Sequence, residues 1–198
     1  TVQLSETYSW IPPIGASIAW GVNGMGLVMI GLATFLVPLV LLAARDELSD
    51  QGEDRAAGYV AWILALEAIV IAIFAARDVF LFYVLFELMI LPVYVLVARY
   101  GGEGRHRAAI KFVLYSLFGG LVMLAGVIGL AVTASSDVKG SSRLFLVDTL
   151  AGHGAGPRLW IFASFFLAFA IKAPLFPVHT WLPDTAEQAP PGTSALLV

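Results

Sequence analysis

The chain has 198 residues, of which 60% are hydrophobic and 13% charged, with a formal net charge of −3. Mean hydropathy is +0.89. Soluble domains carry about a quarter charged residues, so this composition implies an all-α polytopic membrane protein embedded in a lipid bilayer. The small net charge argues against nucleic-acid binding, and the lack of cysteine removes disulfides, iron–sulfur ligation and thiolate metal sites from this chain.

In chain order, residues 1–23 read as an external loop. They open Thr1-Val-Gln-Leu-Ser-Glu-Thr-Tyr-Ser-Trp10, polar and aromatic rather than basic then apolar, which is not the pattern of a signal peptide. Position 1 is not Met, and the last residues, Ser194-Ala-Leu-Leu-Val198, begin an apolar run; the chain is therefore expected to be a piece of a longer one. A spanning helix needs about 20 mainly apolar residues. Five segments qualify, at 24–44, 57–76, 79–98, 108–134 and 159–178, with a broken-helix and loop segment at 173–198. Together they form a single membrane domain over residues 1–198. Only Arg77 and Asp78 separate the second span from the third, which predicts a tight helical hairpin with Asp78 capping the third span.

Orientation follows from Lys and Arg in the short loops. The loop Arg99-Tyr-Gly-Gly-Glu-Gly-Arg-His-Arg107 carries three arginines and reads as cytoplasmic. Alternation then puts 45–56 on the same side, and 1–23 and 135–158 outside. Two loops weaken the contrast: 45–56 holds five acids beside its two arginines, and 135–158 carries Lys139, Arg143 and Arg158. The stretch Gly101-Gly-Glu-Gly104 lacks a following Lys-Ser/Thr and a preceding strand, so it is a membrane loop and not a phosphate cradle. The three histidines, His106, His153 and His179, are scattered, which argues against a metal site.

Charges inside the spans carry the chemistry. Glu87 lies near the middle of an apolar run from Val79 to Ala98, where a carboxylate costs from about 2.5 kcal/mol upward. Lys172 lies about two-thirds of the way through the fifth span, just before Pro174 and Pro177. Each proline removes a backbone N–H and clashes with the preceding turn, so the helix is expected to break there and line a cavity. Close together, Glu87 and Lys172 stabilise each other's charge; apart, Glu87 tends to gain a proton and Lys172 to lose one. That makes the pair a candidate proton switch, and equally a structural ion pair between two helices. Lys111, near the arginine loop, is placed to snorkel to the surface, or else to stand at the mouth of a proton path. Glu67, midway along the second span, reads as a carboxylate paired with a neighbouring helix or as a relay. His179, just past the break, either hydrogen-bonds a backbone carbonyl or relays protons. The five tryptophans, Trp10, Trp20, Trp62, Trp160 and Trp181, fall near span ends and read as an aromatic belt.

Two of these stretches resemble a known family. Phe82-Tyr-Val-Leu-Phe-Glu-Leu-Met-Ile-Leu-Pro-Val-Tyr94 resembles the Glu-bearing helix of the M-type antiporter-like subunit of respiratory complex I, the proton-pumping NADH:quinone oxidoreductase. Ala168-Phe-Ala-Ile-Lys-Ala-Pro-Leu-Phe-Pro-Val-His-Thr-Trp-Leu-Pro-Asp184 resembles that subunit's broken helix and the segment after it. Between them, Ala109-Ile-Lys-Phe-Val-Leu-Tyr115 resembles the start of its Lys-bearing helix. The resemblance implies five of about fourteen helices, with Glu87 as the essential glutamate, Lys172 as its partner and Lys111 as a further lysine of the path.

By the same resemblance the chain carries no cofactor of its own. NADH, FMN, iron–sulfur clusters and quinone would sit in partner subunits, the neighbours would be L- and N-type antiporter-like subunits, and the location would be the bacterial inner membrane. One departure stands out. Many members read Asp-Ala-His after Leu-Pro, whereas this chain reads Asp184-Thr185-Ala186-Glu187, so no role of that histidine carries over. The stretch Glu187-Gln-Ala-Pro-Pro-Gly-Thr-Ser194 also departs from the common Ala-Pro-Thr-Ala-Gly-Ser. Leu91-Pro-Val-Tyr94 and Trp181-Leu-Pro-Asp184 suit the M-type subunit better than its relatives. The alternatives are a subunit of an Mrp-type Na⁺/H⁺ antiporter and a purely structural membrane scaffold.

Overall fold

A computed structural model describes residues 2–45, 52–135, 144–152 and 159–197. Lys139, Arg143, His153 and Arg158, and with them part of the charge asymmetry used for orientation, lie outside the described residues.

The first 23 residues are not a simple loop. Strands β1 (Gln3–Ile11) and β2 (Ala16–Val22) pair antiparallel. Pro12 and Pro13 end β1 because neither can donate a ladder hydrogen bond. A short 3₁₀ turn over Pro12–Ile14 follows, and Gly15 closes it with φ 74, a conformation that favours glycine. β1 is mostly exposed on both faces, whereas Ala16, Ser17 and Ala19 of β2 are buried.

Among the described residues, four helical spans are long and apolar enough to cross a membrane: α1 (Gly24–Ala43), α2 (Glu53–Ala75), the stretch Val79–Tyr100 and α5 (Arg105–Ser135). Asn23 caps α1 by accepting from the Gly26 N–H at 2.8 Å. α2 begins earlier than the hydropathy alone places it. Glu53 and Asp54 occupy its first turn, where acidic side chains suit the positive end of the helix dipole. The third span is divided into α3 (Val79–Leu88) and α4 (Ile90–Tyr100), with the break at Met89. Pro92 accounts for it: with no N–H, it leaves the carbonyl one turn back, at Leu88, without its helical partner.

The fifth apolar segment ends early. α7 (Leu159–Lys172) has 14 residues, roughly 21 Å at ~1.5 Å per residue, short of the ~30 Å hydrocarbon core. After it come turns, then α8 (Trp181–Gln188) and α9 (Pro191–Leu197). A short α6 (Val147–Gly152) precedes it.

Apolar side chains such as Leu27, Phe35, Leu114 and Phe162 face outward, as lipid-facing residues do. Two buried clusters hold the helices together. The larger gathers Tyr59, Ile63, Leu96, Val97, Phe112 and Trp181; the smaller includes Phe86, Met123, Val127 and Ala168. α5 and α7 approach closely because α5 presents glycines. A Cβ on Gly126 would strike Ser164, and one on Gly129 would strike the Trp160 ring.

The elements meet at two ends. At one end β2, the Arg77-Asp78 link and the segment 144–147 exchange backbone hydrogen bonds: Arg77 N–H to Ala19 O at 2.8 Å, Val79 N–H to Phe145 O at 2.9 Å and Val147 N–H to Arg77 O at 3.0 Å. At the other, the glycine-rich turn before α5 receives Gln188. The Gln188 carbonyl accepts from Gly102 N–H at 2.9 Å, and its side chain accepts from Gly104 N–H at 2.8 Å. A Cβ on Gly101 would strike the Val97 and Gln188 carbonyls, and one on Gly104 would crowd the Gln188 side chain.

Candidate functional site

The break after α7 sets the position of Lys172. Pro174 cannot donate to the Ala170 carbonyl, and the Leu175 N–H takes that carbonyl instead, at 2.8 Å. This wider turn withdraws the donor that the Ile171 carbonyl would otherwise have. The Trp181 indole N–H fills the gap, donating to Ile171 O at 2.8 Å. Trp181 is 2% exposed. It is a cap for the broken helix rather than part of an aromatic belt, which corrects the expectation for this tryptophan. The signal lay in the sequence: a proline break frees carbonyls that need a donor, and indole nitrogen only donates.

Lys172 ends α7 with its Nζ buried and without a hydrogen-bond acceptor among the described residues. Aromatic rings stand around it instead. Its Nζ lies 5.4 Å from the centroid of the Phe86 ring and 5.2 Å from that of Phe112.

Glu87 occupies the last turn of α3, beside the interruption at Met89. Its Oε1 is buried and unpartnered among the described residues. The carboxylate lies against Gly120 of α5, where any Cβ would overlap it. Glu87 and Lys172 are within each other's electrostatic reach but make no direct ion pair.

A cavity of about 470 Å³ extends from Lys172 between α1, α2 and α9, lined by Glu67, Leu36, Val93, Phe112 and Trp181 among others. Glu67 and Lys172 thus open on one cavity, a relation that spacing alone did not reveal. Glu67 makes no ion pair among the described residues.

Lys111 behaves differently. Its Nζ donates to Asp184 Oδ2 and to the Thr180 carbonyl, both at 2.7 Å, and the Tyr115 hydroxyl meets Thr180 Oγ1 at 2.7 Å. Lys111 is therefore fixed to the segment that follows the break rather than free to snorkel. His179 Nδ1 is buried and makes no hydrogen bond among the described residues, so the bond to a backbone carbonyl is not made at that nitrogen. Its ring lies 5.8 Å from that of Phe176.

Asp78 accepts three backbone hydrogen bonds. Oδ1 accepts from Phe80 N–H at 2.9 Å and Leu81 N–H at 3.0 Å, the cap expected from the sequence, and Oδ2 accepts from Ser17 N–H of β2 at 2.9 Å. Burial pushes its carboxyl above the ordinary value, and the three N–H donors pull the other way without cancelling that rise. Beside it, Arg77 pairs with Asp148 at 2.7 Å. Among the described residues no three His, Asp or Glu side chains gather as metal ligands would.

A family model described as "NADH:quinone oxidoreductase/Mrp antiporter, TM" matches residues 76–198. Subunit M of the NADH-quinone oxidoreductase of Mycobacterium tuberculosis is 41% identical over 227 aligned residues, covering 99% of this chain and 41% of that protein. The chain thus spans about two fifths of the length of this relative. Among solved structures, respiratory complex I from Thermus thermophilus with bound NADH aligns with a TM-score of 0.79 at 34% identity, over 98% of this chain and 39% of that one. The Mrp complex from Dietzia sp. DQ12-45-1b aligns with a TM-score of 0.79 at 23% identity, over 98% of this chain and 21% of that one, a likeness of fold alone. With the broken helix, the Glu-bearing span and the matching model in agreement, the chain belongs to the NADH:quinone oxidoreductase/Mrp antiporter transmembrane family.

Proposed function

We propose that this chain works within the membrane arm of an NADH:quinone oxidoreductase and moves protons through Glu87 and Lys172. The observation that carries the reading is that both side chains bring a buried polar atom without a hydrogen-bond partner to the same neighbourhood. A purely structural pair closes on itself, because an unmatched buried charge costs several kcal/mol. Two charges held near each other but not joined suit a switch that closes and opens.

In this mechanism Lys172 carries a proton while Glu87 faces it. Withdrawal or neutralisation of Glu87 by a neighbouring subunit removes the counter-charge, and the lysine gives its proton to the cavity that Glu67 also lines. Redox energy comes from partner subunits that hold NADH, FMN, iron–sulfur clusters and quinone. The immediate neighbours are L- and N-type antiporter-like subunits in a bacterial inner membrane. Lys111 and His179 stand beside the broken helix, at the approach to the path.

The test is Lys172→Met and Glu87→Gln in the full-length subunit within its assembled complex. Proton pumping is expected to be lost in both while assembly is kept; full pumping in either would overturn the mechanism. A second reading, an Mrp-type Na⁺/H⁺ antiporter subunit, draws on the shared fold. Copurification with iron–sulfur subunits and NADH-driven pumping would favour the first reading; Na⁺/H⁺ exchange without a redox partner would favour the second.

A further inference from the structure

The ammonium of Lys172 poses a physical question that the Glu87 switch leaves open: what holds its charge when Glu87 is not facing it. Among the described residues its Nζ has no acceptor, although it is buried. The titratable groups that face it are Glu87 from α3 and, across the cavity, Glu67 from α2. The other elements present apolar surface there: Leu36 of α1, Val93 of α4, Trp181 of α8 and Leu196 of α9.

Two ring faces remain, Phe86 at 5.4 Å and Phe112 at 5.2 Å, both inside the ~6 Å over which a cation is drawn to an aromatic quadrupole. Both rings are held in place by other rings. Phe86 packs on Phe82 at 5.8 Å and edge-on to Phe169 of α7 at 5.9 Å. Phe112 packs on Trp181 at 5.3 Å, and that indole is itself bonded to the carbonyl preceding Lys172. The rings are thus tied to the helix end that carries the charge.

We propose that Phe86 and Phe112 form an aromatic clamp that holds the Lys172 ammonium in its charged form between the withdrawal of Glu87 and the release of the proton to the cavity. Both act as positioning residues, and the proposal rests on the proton-switch reading of Glu87 and Lys172. A ring face binds a cation but cannot accept its proton, so the clamp retains the charge without offering the proton an exit. Phe86 precedes Glu87 in the sequence, so a movement of α3 that withdraws the carboxylate also changes the ring's hold on the ammonium.

Replacing Phe112, which is fully buried, by an aliphatic residue risks a packing defect. The test therefore uses graded fluorination, which weakens the quadrupole at nearly constant shape. Mono-, di- and trifluorophenylalanine are placed at 86 or at 112 of the full-length subunit in its complex, and NADH-driven proton pumping is followed against pH. The alkaline limb of the profile is expected to move toward acid with each fluorine, by up to about one pH unit. The same series at the outward-facing Phe166 is expected to leave it in place. A limb indifferent to fluorine number at both 86 and 112, or one that moves equally for Phe166, overturns the clamp. Lys172→Met run in parallel separates the two failures. If that variant is inactive and fluorination has no graded effect, the clamp alone is wrong; if it pumps normally, the switch reading falls and the clamp with it.

Discussion

Asp78 caps the span that carries Glu87, and the fold treats the two carboxylates in opposite ways. Asp78 is 0% exposed, and both of its oxygens accept backbone N–H groups, drawn from its own helix and from β2. Glu87 is also set into the protein, yet its Oε1 has no partner among the described residues and its carboxylate rests against the bare backbone of Gly120. A buried acid whose lone pairs are taken up by several elements is a fastener. One left unsatisfied beside a buried, unpaired lysine suits the proposed change of state. Glu87 is the less buried of the two, and the inventory of donors is what separates the proposed roles.

The largest expected effect would break this contrast outright. Glu87→Gln should abolish pumping per assembled complex, whereas Asp78→Asn should leave that ratio intact and lower the amount of complex formed. Proton uptake per NADH oxidised, set against complex abundance on native gels, measures both. Equal pumping losses per assembled complex would erase the division of roles.

Next in size is Asp78→Ala, which strips three N–H groups of their acceptor. A destabilisation of about 2–4 kcal/mol is expected, from the lost cap and the orphaned donors. It should appear as faster amide exchange at Ser17, Phe80 and Leu81, and normal protection there would show that water replaces the carboxylate. Gly120→Ala sharpens the other side of the comparison. The added Cβ pushes aside the far end of a flexible side chain, so assembly should hold while pumping falls on the order of fivefold, equivalent to about 1 kcal/mol. Glu87→Asp in the same chain, being shorter, should recover part of it. Loss of assembly in Gly120→Ala would instead mark the glycine as a packing residue.

The smallest effect belongs to the pair that is closed. Lys111 and Asp184 meet at 2.7 Å with their side chains 32% and 52% exposed, and an ion pair open to solvent contributes under about 1 kcal/mol. Lys111→Met should therefore shift thermal stability of the complex only slightly and leave Glu87-dependent pumping in place. A complete loss of pumping would move Lys111 into the path itself.

Much of this was legible in the sequence because membranes make certain choices costly. Glu87 and Lys172 are conspicuous as charges in apolar runs, and Pro174 announces a broken helix, for the same reason that unsatisfied groups are not left to lipid. The cap at Asp78 followed from its place between two spans. What escaped has equally physical grounds. β1 is exposed on both faces, so it leaves no buried alternation to read. The interruption at Met89 arises from Pro92, whose missing N–H acts one turn upstream, away from the proline itself. The partners Lys111–Asp184 and Gly104–Gln188 join residues far apart in the chain, and no local pattern encodes them. The meeting of Glu67 and Lys172 on one cavity is likewise a product of how α2 and α7 pack.

The indole of Trp181 gives the broken helix a property that prolines alone would not. For α7 to straighten, the Leu175 N–H would have to return to the Ile171 carbonyl and share that oxygen with the indole, which donates to it at 2.8 Å. The indole bond thus ties the break, and Lys172 beside it, to α8. In the proposed switch, relative travel between the two charges would then fall to the side chains and to the slack that Pro92 leaves beside Glu87, the lysine serving as anvil and the glutamate as hammer.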